Sequence, residues 1–310
     1  MIQPIKNSPF TIKFKNFPFC FLVFFYFCSL LIAAIVTPLI FNFVVVWAQW
    51  HPCELTQYLL RKGFVIFFER MRLIALLLFI PHLWKMYRQH SPKKLATDCD
   101  GKIFGQFFIL GCFLIPMIFG IKMLILDFSL TISPRLYFFL GKSLLGAMAL
   151  SFLEEWLFRG LIFKILLNPV KPFLATIFSS LLFAYFHFRP HYEPNPSSRF
   201  ATLGDGFHCL YEVTFRSLVG ISWFKFSIIF SLGCLLATVY FRTRNLLASV
   251  GLHGAIVFTL MIFREWIYFP ATNFFFGSND LFNSPLALLV ILFFTISFSA
   301  YYTHFYSQKS

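Results

Sequence analysis

Five ionisable residues in apolar surroundings have the types and spacing for chemistry. Leu150 to Phe163 reads LSFLEEWLFRGLIF, which sets Glu154, Glu155 and Arg159 in an otherwise apolar run. A charge at the centre of a bilayer costs on the order of 3 kcal/mol even on lenient insertion scales, so each needs a partner and a purpose. Glu155 and Arg159 are four apart and face each other on a helix. Glu154 projects roughly 100° away from that pair, leaving one carboxylate held by the arginine and its neighbour available for other work. The same three charges would also suit a buried ion network that only fixes helix packing.

Two imidazoles lie in later apolar segments: His187 in FAYFHF and His253 in VGLHGAIVF. Phe183 precedes His187 by four residues on the same face, and Gly251 and Gly254 flank His253, where small residues let a neighbouring helix approach. A carboxylate kept from bulk water, together with imidazoles that titrate near neutrality, can hold a water, take its proton and pass it to a leaving group. Glu154, His187 and His253 are equally a candidate donor set for a divalent metal such as zinc, which would activate the water instead. Either route is hydrolysis inside a membrane. The sequence contains no HExxH, GxGD, P-loop, dinucleotide fingerprint or Ser-His-Asp set, which argues against serine and aspartyl intramembrane proteases.

The elements that position these residues are membrane helices. With 310 residues, 59% hydrophobic and 12% charged, the chain is too apolar for a soluble domain of its size, and it reads as an all-α, multi-pass integral membrane bundle. The net charge of +14 comes from short Lys and Arg runs beside apolar spans, as anionic headgroups favour, so no nucleic-acid partner is implied. Seven cysteines without CxxC spacing suggest neither a disulfide frame nor a metal knuckle. About eight spans are expected, at Phe17–Trp47, Gly63–Trp84, Ile103–Leu126, Tyr137–Leu167, Phe173–Phe188, Trp223–Phe241, Leu246–Phe263 and Pro285–Tyr302. The second is interrupted by Glu69, Arg70 and Arg72 and can begin as an interfacial helix.

The organisation expected is one integrated membrane domain: about three spans over 1–136, the candidate catalytic core over 137–263, and a final span over 264–310. Basic residues concentrate in the N-terminal tail, the loop around Lys93 and Lys94, and the Arg242–Arg244 hinge, which predicts a cytoplasmic N-terminus. Spans four and five form a hairpin through Asn168 to Pro172. Counting from that turn, Glu154 and His187 each lie roughly 21 to 22 Å from the inner end, while His253 lies at roughly 12 Å, nearly two turns shallower.

In order, spacing and surroundings, Glu154-Glu155-x-x-x-Arg159, then Phe183-x-x-x-His187 after Ser179-Ser180, then His253, resemble the three motifs of the CAAX protease and bacteriocin-processing family. This family, called CPBP or Abi, includes the eukaryotic Ras-converting prenyl endopeptidases, and the resemblance spans Leu140 to Phe263. It implies an intramembrane endopeptidase acting on a membrane-associated peptide or protein, prenylated CAAX chains among them, in a bacterial inner membrane. By the same resemblance Glu154 is the base that activates water, Glu155 and Arg159 support it, and His187 and His253 orient the water or stabilise the oxyanion. The family is commonly described as metal-dependent, while relatives favour a glutamate mechanism that needs none, so the cofactor stays open between a divalent metal and none. One position departs from the pattern: Val257 stands where the family has Asn or Asp, and a valine neither donates to an oxyanion nor binds a metal. Loss of one oxyanion donor costs on the order of a hundredfold in rate. The alternative it leaves is a non-catalytic membrane scaffold or bacteriocin-immunity-type protein that keeps the polar cluster for packing. A proton-coupled transporter is disfavoured, because the sequence has no repeat symmetry.

Overall fold

The computed structural model describes residues 18–90, 101–131, 136–167, 170–187, 200–216, 223–270, 273–277, 281 and 284–306. In chain order the helices are α1 (Pro18–Trp50), α2 (Glu54–Arg61), α3 (Gly63–Leu78), α4 (Ile80–His90), α5 (Gly101–Ile125), α6 (Leu136–Glu155), α7 (Pro172–Phe186), α8 (Leu203–Tyr211), α9 (Trp223–Thr243), α10 (Leu246–Trp266) and α11 (Pro285–Tyr306). Beyond Glu155 the backbone of α6 widens into a π-helix, Trp156–Phe163, before Lys164–Leu166 returns to α geometry. A two-residue antiparallel ladder, β1 (Ser129–Leu130) with β2 (Ile267–Tyr268), pairs Ser129 with Tyr268 and Leu130 with Ile267. The fold is an all-α multi-pass bundle.

Five helical runs are long and apolar enough to cross a membrane: Cys20–Trp50, Gly101–Ile125, Leu136–Leu166, Trp223–Thr243 and Leu246–Trp266. Pro172–Phe186 and Pro285–Tyr301 are shorter apolar helices. At 15 residues, α7 extends only about 22 Å, short of the roughly 30 Å hydrocarbon core. The second expected span becomes two helices, α3 and α4, divided at Phe79, and neither is among the full-length spans. α3 runs unbroken through Glu69, Arg70 and Arg72, and the break falls just before Pro81, which has no N–H to continue the helical bonding. Two of the basic regions used to orient the chain, the N-terminal tail and the loop around Lys93 and Lys94, lie outside the described residues.

The chain divides into two compact units. The first takes in 1–90, 165–170 and 189–219. There α1 packs on α3 and α8, with Gly206 of α8 seated against the Ala34 carbonyl and Pro38. Asn42 ties the approach to α8 with both ends of its amide: Nδ2 donates to the Ala201 carbonyl at 2.7 Å, and Oδ1 accepts from the Ala201 N–H at 2.8 Å. Thr202 then caps α8, its hydroxyl accepting from Asp205 N–H while the Asp205 carboxylate accepts from Thr202 N–H, so the helix start has partners without water.

The second unit takes in 91–164, 171–188 and 220–310, and holds every candidate site residue. At its centre α10 packs on α5 and α6, while α9 packs on α7, α10 and α11. Lipid tails give no hydrophobic drive between apolar helices, so close backbone packing has to supply the association. A Cβ on Gly251 would stand 2.6 Å from the Phe104 carbonyl oxygen of α5, and one on Gly233 would stand 2.9 Å from Ser180 Cβ of α7. Both contacts exist only because no side chain is there. Many of the 48 phenylalanines cover the outside, among them Phe113, Phe138, Phe152 and Phe293, as a lipid-facing surface allows.

These contacts separate two glycine substitutions. Gly251→Ala meets backbone of α5 that cannot move aside, so it should lower stability by about 1–3 kcal/mol. Gly120→Ala meets nothing within 4 Å and should leave stability unchanged or slightly raised. Thermal midpoints of the purified proteins in one detergent test the contrast.

Candidate active site

The site is assembled where α6 gives way to the π-helix. Glu154 and Glu155 are the last two residues of α6, and Arg159 lies in the widened turns that follow. Such turns replace i→i+4 bonds with i→i+5 bonds and occur often at functional sites. Arg159 Nη1 donates to Glu155 Oε1 at 2.6 Å, and neither side chain has any exposed surface. The second guanidinium nitrogen, Nη2, donates to the Gly233 carbonyl of α9 at 3.0 Å. The guanidinium plane also lies over the Phe183 ring, 4.5 Å from its centroid, where the ring's negative face attracts a desolvated cation.

Glu155 is shared. His253 Nδ1 stands 3.0 Å from the same Oε1 that accepts from Arg159. Because a carboxylate accepts, this nitrogen carries the proton, and His253 Nε2 is turned away from Glu155. His187 is held in the same manner by backbone: its Nδ1 donates to the Phe183 carbonyl at 2.8 Å, which turns its Nε2 away from that carbonyl. Both Nε2 atoms face one atom. Glu154 Oε2 is 3.8 Å from His187 Nε2 and 3.8 Å from His253 Nε2. That oxygen is buried and makes no direct hydrogen bond among the described residues. A separation of 3.8 Å is beyond a direct hydrogen bond and within reach of one bridging water.

Exposure falls steadily across the cluster. The side chain of His187 is 33% exposed, Glu154 16%, His253 3% and Glu155 0%. His187 and Glu154 therefore form the open edge, while the ion pair and His253 form a dry floor. Phe183 joins the two sides, its ring centroid 4.4 Å from that of His187 and 5.8 Å from that of His253. Phe158 meets the Phe183 ring edge-on at 5.2 Å.

All five sequence-predicted residues are thus brought together. Depth counting set His253 nearly two turns from Glu154, but the structure places its ring against both carboxylates. The register of α10 is set sideways, by Gly251 against α5 and by Gly254 against Met148 of α6, which a count from the helix start does not contain. The π-helix adds to this, since its wider turns shorten the run between Glu154 and the following hairpin. His187 also differs: α7 ends at Phe186, and His187 is its C-cap, its N–H bonded to the Ala184 carbonyl. Sequence reasoning missed the Gly233 carbonyl, for which the signal was a glycine inside an apolar span.

Glu154, His187 and His253 were the candidate metal donors. Ligand atoms on a tetrahedral zinc, with bonds of about 2.0–2.2 Å, stand about 3.3–3.6 Å apart. The two 3.8 Å separations are wider, and among the described residues no three His, Cys, Asp or Glu side chains are grouped to hold a metal ion. The donor set present fits a water rather than a metal.

By fold and site, this is a membrane helical bundle in which paired glutamates, an arginine and two histidines from separate helices converge in a cluster that is open at the His187 and Glu154 edge. Residues 135–259 match the family model described as type II CAAX prenyl endopeptidase Rce1-like. The match includes all five site residues and Val257, and agrees with the resemblance read from the motifs. No curated protein and no solved structure matches the chain.

Removing one partner of the buried pair leaves the other charge uncompensated. Arg159→Leu should therefore cost about 3–5 kcal/mol of stability. Glu154→Gln alters only the two 3.8 Å contacts to His187 and His253 and should cost far less. Unfolding of the two variants, followed by thermal denaturation in detergent, measures the difference.

Proposed function

We propose that this protein is an intramembrane endopeptidase that hydrolyses a peptide bond in a membrane-associated substrate, using water activated by Glu154. The single observation that carries the reading is the buried Glu154 Oε2, without a hydrogen bond of its own and equidistant from two imidazole nitrogens whose opposite nitrogens are already engaged. A water held there gives its proton to Glu154 as it attacks the carbonyl carbon of the substrate. Charge develops on the carbonyl oxygen and is met by His253 carrying a second proton on Nε2 in addition to the one on Nδ1. Glu155 steadies a positive ring at His253 as the buried carboxylate of a catalytic triad does. Collapse of the tetrahedral intermediate returns the proton from Glu154 to the amide nitrogen, and the C–N bond breaks to release the amine. A positioned general base of this kind contributes on the order of 10²–10⁴ in rate.

The family match over residues 135–259 suggests prenylated CAAX-type chains as the substrate class. The half-open edge at His187 and Glu154 suits entry of a peptide from the membrane surface. A cytoplasmic N-terminus in a bacterial inner membrane belongs to the same reading and rests on the placement of basic residues in the sequence.

A second reading, a non-catalytic membrane scaffold or bacteriocin-immunity-type protein, is favoured by Val257. This half-buried residue lies one turn beyond His253 on α10, where the family has a polar side chain. The two readings separate at His187→Ala, which removes turnover but not folding in an enzyme and weakens partner binding in a scaffold.

The decisive measurement is cleavage of a farnesylated CAAX peptide in proteoliposomes. Glu154→Gln should lower the rate at least a hundredfold with folding intact; undiminished cleavage by this variant would refute the mechanism. In the same assay, excess EDTA should leave the wild-type rate unchanged, because the donor spacing does not fit a metal. A rate lost to EDTA and restored by zinc would overturn that part.

A further inference from the structure

We propose that the first compact unit carries a binding site for a single anionic phospholipid, formed by α1, α2 and α3 and independent of the candidate active site. A half-open cavity of about 410 Å³ lies among these three helices. Its polar lining is Tyr58 and Lys62 near the end of α2 and Arg70 on α3, and the rest is apolar, including Ile40, Ile66 and Met71. No carboxylate lines it.

The position suits a headgroup. The end of α1 carries Trp47 and Trp50, the latter 77% exposed, and such residues mark the membrane–water boundary. Immediately beyond, α2 is a short amphipathic helix with Leu55 and Tyr58 exposed, the form taken by interfacial segments. Gly63, at φ +75°, makes the sharp link that turns the chain from α2 into α3, a conformation open to glycine at little cost. This link brings Lys62 to the cavity rim, where its Nζ lies 4.8 Å from the centre of the Tyr58 ring. Arg70 is exposed and has no ion pair or hydrogen bond among the described residues.

Two cations above an apolar slot at headgroup level match a phosphodiester joined to an acyl chain. The phosphate sits between Lys62 and Arg70, with Arg70 able to bind it through two nitrogens, and one chain lies along the Ile40 and Ile66 wall. Phosphatidylcholine is disfavoured, because its choline cation would stand beside two positive side chains with no carboxylate to offset them.

The test uses the full-length protein reconstituted in vesicles of mixed phosphatidylcholine and phosphatidylglycerol, extracted in detergent and analysed by native mass spectrometry. The expected result is a single retained phosphatidylglycerol, enriched over its share of the vesicle. Replacing both cations, Lys62→Ala with Arg70→Ala, should lower that enrichment roughly tenfold or more. The charge-conserving pair Lys62→Arg with Arg70→Lys should keep it. Ile66→Trp, which fills the slot and leaves both charges, should lower it as well. Elution volume and helical circular dichroism matching wild type establish that each variant is folded. Retention in proportion to vesicle composition, or unchanged enrichment in the double alanine variant, overturns the site. Unchanged enrichment with Ile66→Trp, or displacement by soluble glycerol phosphate, overturns the acyl-chain part by showing that surface charge alone attracts the headgroup.

Discussion

The second unit depends on one constraint: an arginine and a glutamate with no exposed surface must satisfy each other and still find partners for their remaining groups. Taking such ions out of water costs several kcal/mol each, more than a single contact returns. The structure meets the cost by distributing it. Arg159 gives one nitrogen to Glu155 and another to the Gly233 carbonyl, while its face lies on Phe183. Glu155 in turn accepts from His253. Through these contacts one ion pair on a single helical run fixes the placement of α7, α9 and α10. It is therefore a junction before it is a source of stability, and the planar fork of arginine makes it possible where a lysine could not serve.

Two adjacent glutamates have been given opposite circumstances. Glu155 is dry, paired and shared, and its charge is fully used in holding neighbours. Glu154 is partly open, unpaired and faced by two nitrogens that are held at the back of their rings. The first is suited to orienting a histidine and the second to exchanging a proton. This difference arises from the roughly 100° turn between neighbouring helical residues, which points one carboxylate at the protein interior and the other at the pocket.

Close helix approach is the second requirement. Carbon-hydrogen surfaces in lipid do not drive helices together, so contacts that bring His253 to Glu155 rely on residues without side chains at the crossing points. Gly251 and Gly254 bracket His253 and let α5 and α6 close on α10 from two sides, and Gly233 exposes a carbonyl to Arg159 by letting α9 approach α7. The first unit uses the same device at Gly206, which rests on the backbone of α1.

The all-α membrane class and the five polar residues were legible in the sequence, because buried charge is so costly that ionisable residues inside apolar runs are conspicuous by composition alone. So was the pairing of Glu155 with Arg159, which needs only the repeat of one helix. The second expected span was less legible, since hydropathy averaged over Gly63–Trp84 conceals a break at Phe79, just before Pro81. What only the tertiary structure decided is the meeting of His253 with both carboxylates and the orientation of both imidazoles. Helix periodicity fixes which residues share a face on one element. Register between elements is settled by side-chain packing, here by glycines at crossings and by π turns, and neither is encoded in a count along a single helix.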